Sequence, residues 1–488
     1  MRLTIPDFSL VVLMGASGSG KSSFAARHFA TTEILSSDHF RGVVADDEGD
    51  QSATADAFDV LYYIAAKRLA ARRLTVIDAT NLRAEDRKHA IDLARRYHAL
   101  PVVFIIDTPE SVCIERNKAR PDRQFGAQVV RNHVQLLRKS LRGLAREGFR
   151  VVHKLSDPAI MATAEVVREP LFTDRRTDHG PFDIIGDVHG CLDELVQLLT
   201  TLGYAPADGA WRHEGGRRAI FLGDLVDRGQ DSPGVLRLVM DMVAAGTALC
   251  IQGNHDNKLH RKLAGRDVKL THGLAETIAQ LEALPDETRP AFTAEITAFL
   301  DSLRSHYWLD NGKLVVAHAG LKAEMHGRGS GAVRSFALYG ETTGETDEFG
   351  LPIRYEWARD YRGDAMVVYG HTPTRAPEWI NRTLCIDTGC VFGGALTAMR
   401  YPERDLVSVP ALRTYTEPVR PLAQPASTDP YDLLDLEDIA GKRIVTTRLM
   451  PSITVRDENA AAGIEVMSRF CVDPRWLIYL PPTMSPSE

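Results

Sequence analysis

Thiol chemistry is sparse in this chain. Its 488 residues include six cysteines, and no two form a Cys-x-x-Cys pair. This excludes a disulfide scaffold, argues against a structural zinc, and fits a reducing, cytoplasmic setting. Long apolar runs are also missing. The run 8–14 is too short to cross a bilayer and leads directly into a glycine-rich loop. It therefore reads as a buried strand, and neither a signal peptide nor a membrane partner is expected. Long acidic tracts and low-complexity repeats are absent. Net positive charge is lacking as well: the formal charge is -7, so the whole chain is not a basic nucleic-acid coat. The hydrophobic fraction is 44% and the charged fraction 25%, which is ordinary for a globular protein. The length exceeds what one core can hold, so two or three domains are expected.

Charge is unevenly spread. Between 116 and 150 stand ten basic residues, among them Arg116, Arg120, Arg123, Arg131 and Arg138, against Asp122 and Glu147. A basic block in an acidic chain points to an anion site. Strand and helix signals alternate through the first part: strands at 9–14, 33–35, 74–78, 101–107 and 151–154, with helices at 21–29, 55–73 and 85–97. That alternation predicts a parallel sheet covered by helices on both faces. The polar, aperiodic stretch 171–180 reads as a linker. A second α/β series follows, with short strands at 182–185, 219–222, 248–252, 313–317, 366–369 and 383–387, and an inserted helix pair at 274–303. Proline clusters from 415 to 430 suggest another linker, and 431–488 is too short for a complete domain.

Gly15-Ala16-Ser17-Gly18-Ser19-Gly20-Lys21-Ser22 lies between a strand and a helix, as a phosphate cradle requires. Backbone N–H groups of Gly15, Ser17, Gly18, Ser19 and Gly20 are expected to face ATP phosphates, Lys21 to reach the β/γ-phosphates, and Ser22 to ligate Mg²⁺. Asp38 follows the next strand, where it can deprotonate an acceptor hydroxyl, and Arg41 can clamp an acceptor phosphate. Asp78 ends a strand where a carboxylate near Mg²⁺ belongs. Arg116, Arg120 and Arg123 can close over the nucleotide.

The second series carries opposite chemistry. Asp187, His189, Asp224, Asn254, His318 and His371 each stand just beyond a strand end and can converge on two metal ions. Oxygen and imidazole ligands without thiolate favour Mn²⁺, Fe or Zn²⁺. Such a pair acidifies water and supports in-line attack on phosphorus. His255 is expected to protonate the leaving oxygen, with Asp256 orienting it, and Arg228 to grip non-reacting phosphate oxygens. Lys258, Arg261 and His272 can touch substrate. Asp387 can fix the tautomer of a ligand histidine, and Cys191 and Cys390 read as packing residues.

At these motifs the chain resembles the bacterial polynucleotide kinase-phosphatase of the RNA end-healing and sealing system. Ser-Ser-Asp-His-Phe-Arg at 36–41 and Asp-Ala-Thr-Asn at 78–81 are similar to its 5′-kinase. Gly-Asp-Val-His-Gly-Cys at 186–191, Gly-Asp-Leu-Val-Asp-Arg-Gly at 223–229, Gly-Asn-His-Asp at 253–256, His-Ala-Gly-Leu at 318–321, Gly-His-Thr-Pro at 370–373 and Ile-Asp-Thr-Gly-Cys at 386–390 are similar to its calcineurin-like phosphatase. The resemblance implies a P-loop kinase domain with a parallel sheet over 1–170 and a calcineurin-like metallophosphoesterase α/β sandwich over 181–414. It implies the opening segment of a ligase domain over 431–488, without a Lys-x-x-Gly attachment motif. Its implied substrates are RNA ends: a 5′-hydroxyl to be phosphorylated, and a 2′,3′-cyclic, 2′- or 3′-phosphate to be removed. It implies ATP with Mg²⁺ at one site, two divalent metals (Mn²⁺ foremost) at the other, a 2′-O-methyltransferase partner and a homodimer. The metal motifs alone fit equally a small-molecule kinase fused to a protein or dinucleoside-polyphosphate phosphatase. A scaffold with degenerate sites is the third expectation.

Overall fold

The computed structural model describes residues 1–119, 126–420 and 422, with two further backbone strands, Arg443–Thr446 and Ile453–Arg456. The first unit is built on five parallel strands in the order Ile34–Ser36, Thr75–Asp78, Ser9–Gly15, Leu100–Ile106, Val151–Leu155. The central strand Ser9–Gly15 is buried along its whole length. Its side chains alternate between two cores: Leu10, Val12 and Met14 pack on one face, Val11 and Leu13 on the other. Helices Thr54–Ala70 and Ala84–Arg96 cover the first face, and Lys21–His28 the second. An apolar central strand is stable only when both faces are covered, which accounts for the sandwich.

The second unit packs two sheets face to face. One runs Ala248–Cys250, Arg218–Phe221, Phe182–Ile185, Ala395–Tyr401, Leu406–Pro410. The other runs Glu378–Ile380, Thr383–Cys385, Met366–Tyr369, Leu314–Ala317, His306–Leu309, Asp174–Arg175. Ile184, Ile220, Leu222, Val316, Val368 and Ile386 fill the space between them. Helices Leu192–Leu202 and Ser232–Ala244 cover the outside of the first sheet. The inserted pair is Leu274–Glu282 and Arg289–Ser302. Within each sheet the motif-bearing strands run parallel, so their carboxyl ends open on one rim.

The stretch 171–180 differs from its reading as a linker. Asp174 and Arg175 pair with Trp308 and Leu309 and form the sheet edge. Arg176 stacks on the Trp308 ring at 4.4 Å and is held by Asp174. A two-residue strand has no periodicity to read.

The two units meet through Arg328, which is 6% exposed. Its guanidinium donates to the carbonyls of Leu69 at 3.4 Å, Ala70 at 3.0 Å and Tyr97 at 2.6 Å. These carbonyls end helices Thr54–Ala70 and Ala84–Arg96, where the last turn leaves acceptors without intrahelical partners and a negative dipole end. Arg72 of the first unit stacks on Trp308 of the second at 4.3 Å. No helix among the described residues is long and apolar enough to cross a membrane.

Candidate functional sites

In the first unit the chain leaves strand Ser9–Gly15, turns through Gly18 and Gly20 at φ 78° and 98°, and enters helix Lys21–His28. A side chain at Gly18 would collide with the Cys113 carbonyl. The helix has no side-chain cap and no acidic residue in its first turn, so its leading N–H groups stand ready for an anion. Lys21 Nζ donates to the carbonyls of Gly15 at 3.0 Å and Ala16 at 2.9 Å. The Ser19 hydroxyl is buried without a partner, and Ser22 is exposed. These features fit a phosphate cradle. Arg116 reaches the loop, with Nη1 3.4 Å from the Ser19 carbonyl. Arg41 is 3% exposed; it donates to the Glu48 carbonyl at 2.9 Å and to the Asp38 carboxylate. The side chain read as a phosphate clamp thus holds Asp38. Arg120 and Arg123 lie outside the described residues. His133, which the sequence reading passes over, sits 3.2 Å from the Ser17 hydroxyl.

In the second unit the six candidate ligands converge. His318 Nε2 lies 2.9 Å from Asn254 Oδ1, 3.0 Å from His371 Nδ1 and 3.3 Å from Asp224 Oδ2. His189 Nε2 lies 3.7 Å from the same Asp224 oxygen. Asp224 therefore belongs to two groups, one with His318 and His371 and one with His189 and His255. Asp187 accepts the His371 N–H at 3.0 Å through Oδ2, while its Oδ1 is buried without a partner. The ring orientations are set by the backbone: His189 Nδ1 faces the Val226 carbonyl at 2.9 Å, and His318 Nδ1 faces the Leu222 carbonyl at 3.0 Å. Both Nε2 atoms thereby turn into the cluster. Burial opposes charge on His318, yet Asp224 and Asp187 push it up to about 9. A buried spot that holds a proton this firmly is one where a cation is stabilised. The orphaned Asp187 oxygen, the shared Asp224 and the inward nitrogens fit two divalent ions.

The loops that carry these groups are strained. His189, Asp224, Asp227, Arg228 and His371 have φ of 46°, 47°, 76°, 72° and 69°. Non-glycine residues seldom adopt the left-handed region, and aspartate and histidine are among those that tolerate it best. Glycines admit the close approach: a Cβ at Gly370 would run into Asp187 Oδ1, and one at Gly253 into the Asp224 carboxylate.

Two orienting roles change. Asp256 does not reach the His255 ring. As the third residue of helix Asn254–Leu263, its carboxylate turns back to accept the N–H groups of Gly253, Asp224 and Leu225 at 2.9, 2.9 and 3.0 Å. Asp227 is the partner instead, with Oδ2 2.6 Å from His255 Nδ1 and the other oxygen held by Thr277 Oγ1 at 2.7 Å. Its place within 223–229 was visible in the sequence; its pairing with His255 was not. Asp387 also fails to hold a histidine; among the described residues its hydrogen bond is from the Gly389 N–H at 3.1 Å. Arg228 Nη1 stands 2.9 Å from His189 Nε2, on the cavity side of the cluster. His272 lines that cavity, whereas Lys258 is tied to Thr271.

The stretch after the last sheet strand, read as a linker, closes this cavity. Tyr415 and the Leu412 N–H both donate to the buried Glu194 carboxylate, at 2.8 and 2.9 Å. Residues 416–420 then run along the cavity wall.

Comparison with known proteins matches the two units separately. A family model of AAA domains covers residues 10–144, one of calcineurin-like phosphoesterases covers 180–376, and one of the PNKP adenylyltransferase (ligase) domain covers 462–488. The asymmetrical bis(5′-nucleosyl)-tetraphosphatase PrpE of Anoxybacillus flavithermus is 45% identical over 49% of this chain and 98% of its own length. The PrpE proteins of Halalkalibacterium halodurans and Bacillus subtilis are 49% and 46% identical, over 47% and 48% of this chain and 94% and 97% of their own lengths. The chain thus joins a kinase-like P-loop domain to a metallophosphoesterase domain, and through the latter it belongs to the calcineurin-like phosphoesterases.

Proposed function

We propose that this protein heals broken RNA ends, phosphorylating a 5′-hydroxyl with ATP and Mg²⁺ and removing a 2′,3′-cyclic, 2′- or 3′-phosphate. The observation that carries this reading is the segment 462–488, matched by the model of the PNKP adenylyltransferase (ligase) domain, following a kinase-like and a phosphoesterase unit. Ligation needs a 5′-phosphate and an unblocked 3′-end, which are the two products these units would deliver. In the first unit the loop Gly15–Ser22 and Lys21 hold the triphosphate. Asp38, steadied by Arg41, takes the proton of the attacking hydroxyl, and Arg116 with Arg123 offsets charge on the moving phosphoryl group.

In the second unit Asp187, His189, Asp224, Asn254, His318 and His371 would hold two divalent ions, Mn²⁺ foremost, which supply charge neutralisation and a more acidic water. Arg228 grips non-reacting phosphate oxygens. His255, oriented by Asp227, gives its Nε2 proton to the leaving ribose oxygen. The reading is tested with RNA carrying a 5′-hydroxyl and a 2′,3′-cyclic phosphate, incubated with ATP, Mg²⁺ and Mn²⁺, each end being resolved separately. Both ends are expected to change; an RNA left intact at both ends refutes the proposal. The PrpE relatives favour a second reading for the phosphoesterase unit, a dinucleoside tetraphosphate substrate. Preference for diadenosine tetraphosphate over the RNA end would select it.

A further inference from the structure

Above the candidate metal cluster lies a cavity of about 380 Å³, far more than one phosphoryl group occupies and within the range that holds a small ligand. Two arginines other than Arg228 face it. Arg354 comes from the hairpin strand Pro352–Arg354 and Arg420 from the stretch after the last sheet strand, so chain segments remote in sequence bring them to one wall. Arg354 is partly buried, and among the described residues no carboxylate lies within ion-pair distance of it; its hydrogen bond goes to the Tyr339 carbonyl. Burial, and then the charge of Arg420, holds the Arg354 guanidinium below the usual arginine range. Arg420 reaches Asp347 of the hairpin loop at 3.4 Å, which ties hairpin and tail together. Glu276 and Glu417 also line the cavity, but both are solvent-exposed.

Two cations lining one cavity, one of them short of a counter-ion, cost free energy that an anion between them would offset. The Arg228 position beside His189 already serves the reacting group. We propose that Arg354 and Arg420 form a second phosphate subsite, which takes the internucleotide phosphate next to the 3′-terminal nucleotide while the terminal phosphate lies on the metal cluster. This rests on the RNA-end reading above. The subsite makes the unit an oligonucleotide-end phosphatase rather than a general phosphomonoesterase. Guanidinium groups suit this role because their planar donors match two phosphate oxygens at once. A polyphosphate chain offers the same chemistry, so the two sources must be separated by experiment.

The test uses the full chain with Mn²⁺ and three substrates: a dinucleotide 3′-phosphate, the same compound with an uncharged methylphosphonate linkage, and diadenosine tetraphosphate. The wild type is expected to show kcat/KM about tenfold higher for the charged than for the uncharged linkage, the scale of one charged hydrogen-bonded contact. In Arg354→Gln and Arg420→Gln that preference is expected to fall towards unity, mostly through KM. Equal use of both linkages by the wild type overturns the subsite and leaves the RNA-end reading standing. A preference that persists in both variants, with folding checked by circular dichroism, overturns the assignment to these arginines. Cleavage of diadenosine tetraphosphate alone overturns both the RNA-end reading and the internucleotide assignment.

Discussion

Replacing Asp227 by asparagine is expected to separate the proton donor from the rest of the phosphoesterase site. Asp227 is fully buried, and its Oδ2 lies 2.6 Å from His255 Nδ1. The carboxylate accepts the Nδ1–H and orients the ring, so that Nε2 faces the cluster, 4.0 Å from Asp224 Oδ2. Thr277 fixes the outcome of the substitution. Its hydroxyl accepts the Asp227 N–H at 3.0 Å, so its own hydrogen goes to Oδ1 at 2.7 Å. An asparagine must place its oxygen there and turn its amide N–H₂ towards His255. Nδ1 then accepts instead of donating, and the carboxylate that would balance charge on His255 during proton transfer is gone. A positioned general acid contributes at least about 10²-fold, which is about 2.7 kcal/mol of barrier. That loss in kcat is expected with a nucleoside 3′-phosphate, whose alkoxide leaving group needs the proton. With p-nitrophenyl phosphate, whose leaving group does not, the loss is expected to stay below about fivefold. Equal losses on both substrates would mean that Asp227 supports the fold or the metal cluster, and no loss on either would remove it from the reaction.

Asp38→Ala is expected to abolish 5′-phosphorylation and spare 3′-end hydrolysis, while His371→Ala does the reverse; end-resolved electrophoresis reads both, and loss of both activities in either folded variant contradicts two independent sites. Arg328→Ala is expected to lower stability by about 2 kcal/mol in urea unfolding, since the helix-end carbonyls of Ala70 and Tyr97 lose their donor while that of Leu69 keeps the Arg72 N–H; a change under about 0.5 kcal/mol would rank the contact with ordinary surface bonds. Acid is expected to destabilise the chain through His306 and His326. Burial pushes them down to about 3 and about 4 from the usual histidine value of about 6.5. Both are neutral when folded, so their contribution is complete above pH 6.5 and is lost as pH falls through the window below it. By about pH 5 each has lost about 2 kcal/mol; urea titration of His326→Asn should show a correspondingly shallower loss.

The loops that carry chemistry are legible in the sequence because local backbone demands write them there. Gly18, Gly253 and Gly370 stand where a side chain would collide with a carbonyl or a carboxylate, and each candidate ligand follows a short apolar strand. The parallel sheets follow from strand and helix alternation. What escaped depends on partners remote in sequence and, for Arg41, on burial. Asp227 reads as one more acid in a motif until Thr277 and His255 fold against it. Arg41 looks like a ligand clamp until it is seen buried against Asp38. The 415–420 stretch has proline composition and no period, so only its bonds to Glu194 and Asp347 reveal it as a wall. Asp174 and Arg175 are too few to show the period of a strand.

The Arg328 clasp gives both units one fate. Its cation also lies 5.2 Å from the Phe8 ring of the first unit. Cut free, the first unit bares the carbonyls of Ala70 and Tyr97, and the second bares a cation shaped to meet them. In a cell, a lesion that unfolds one unit would lower the abundance of the other, so the two activities would rise and fall in fixed proportion without any shared regulator.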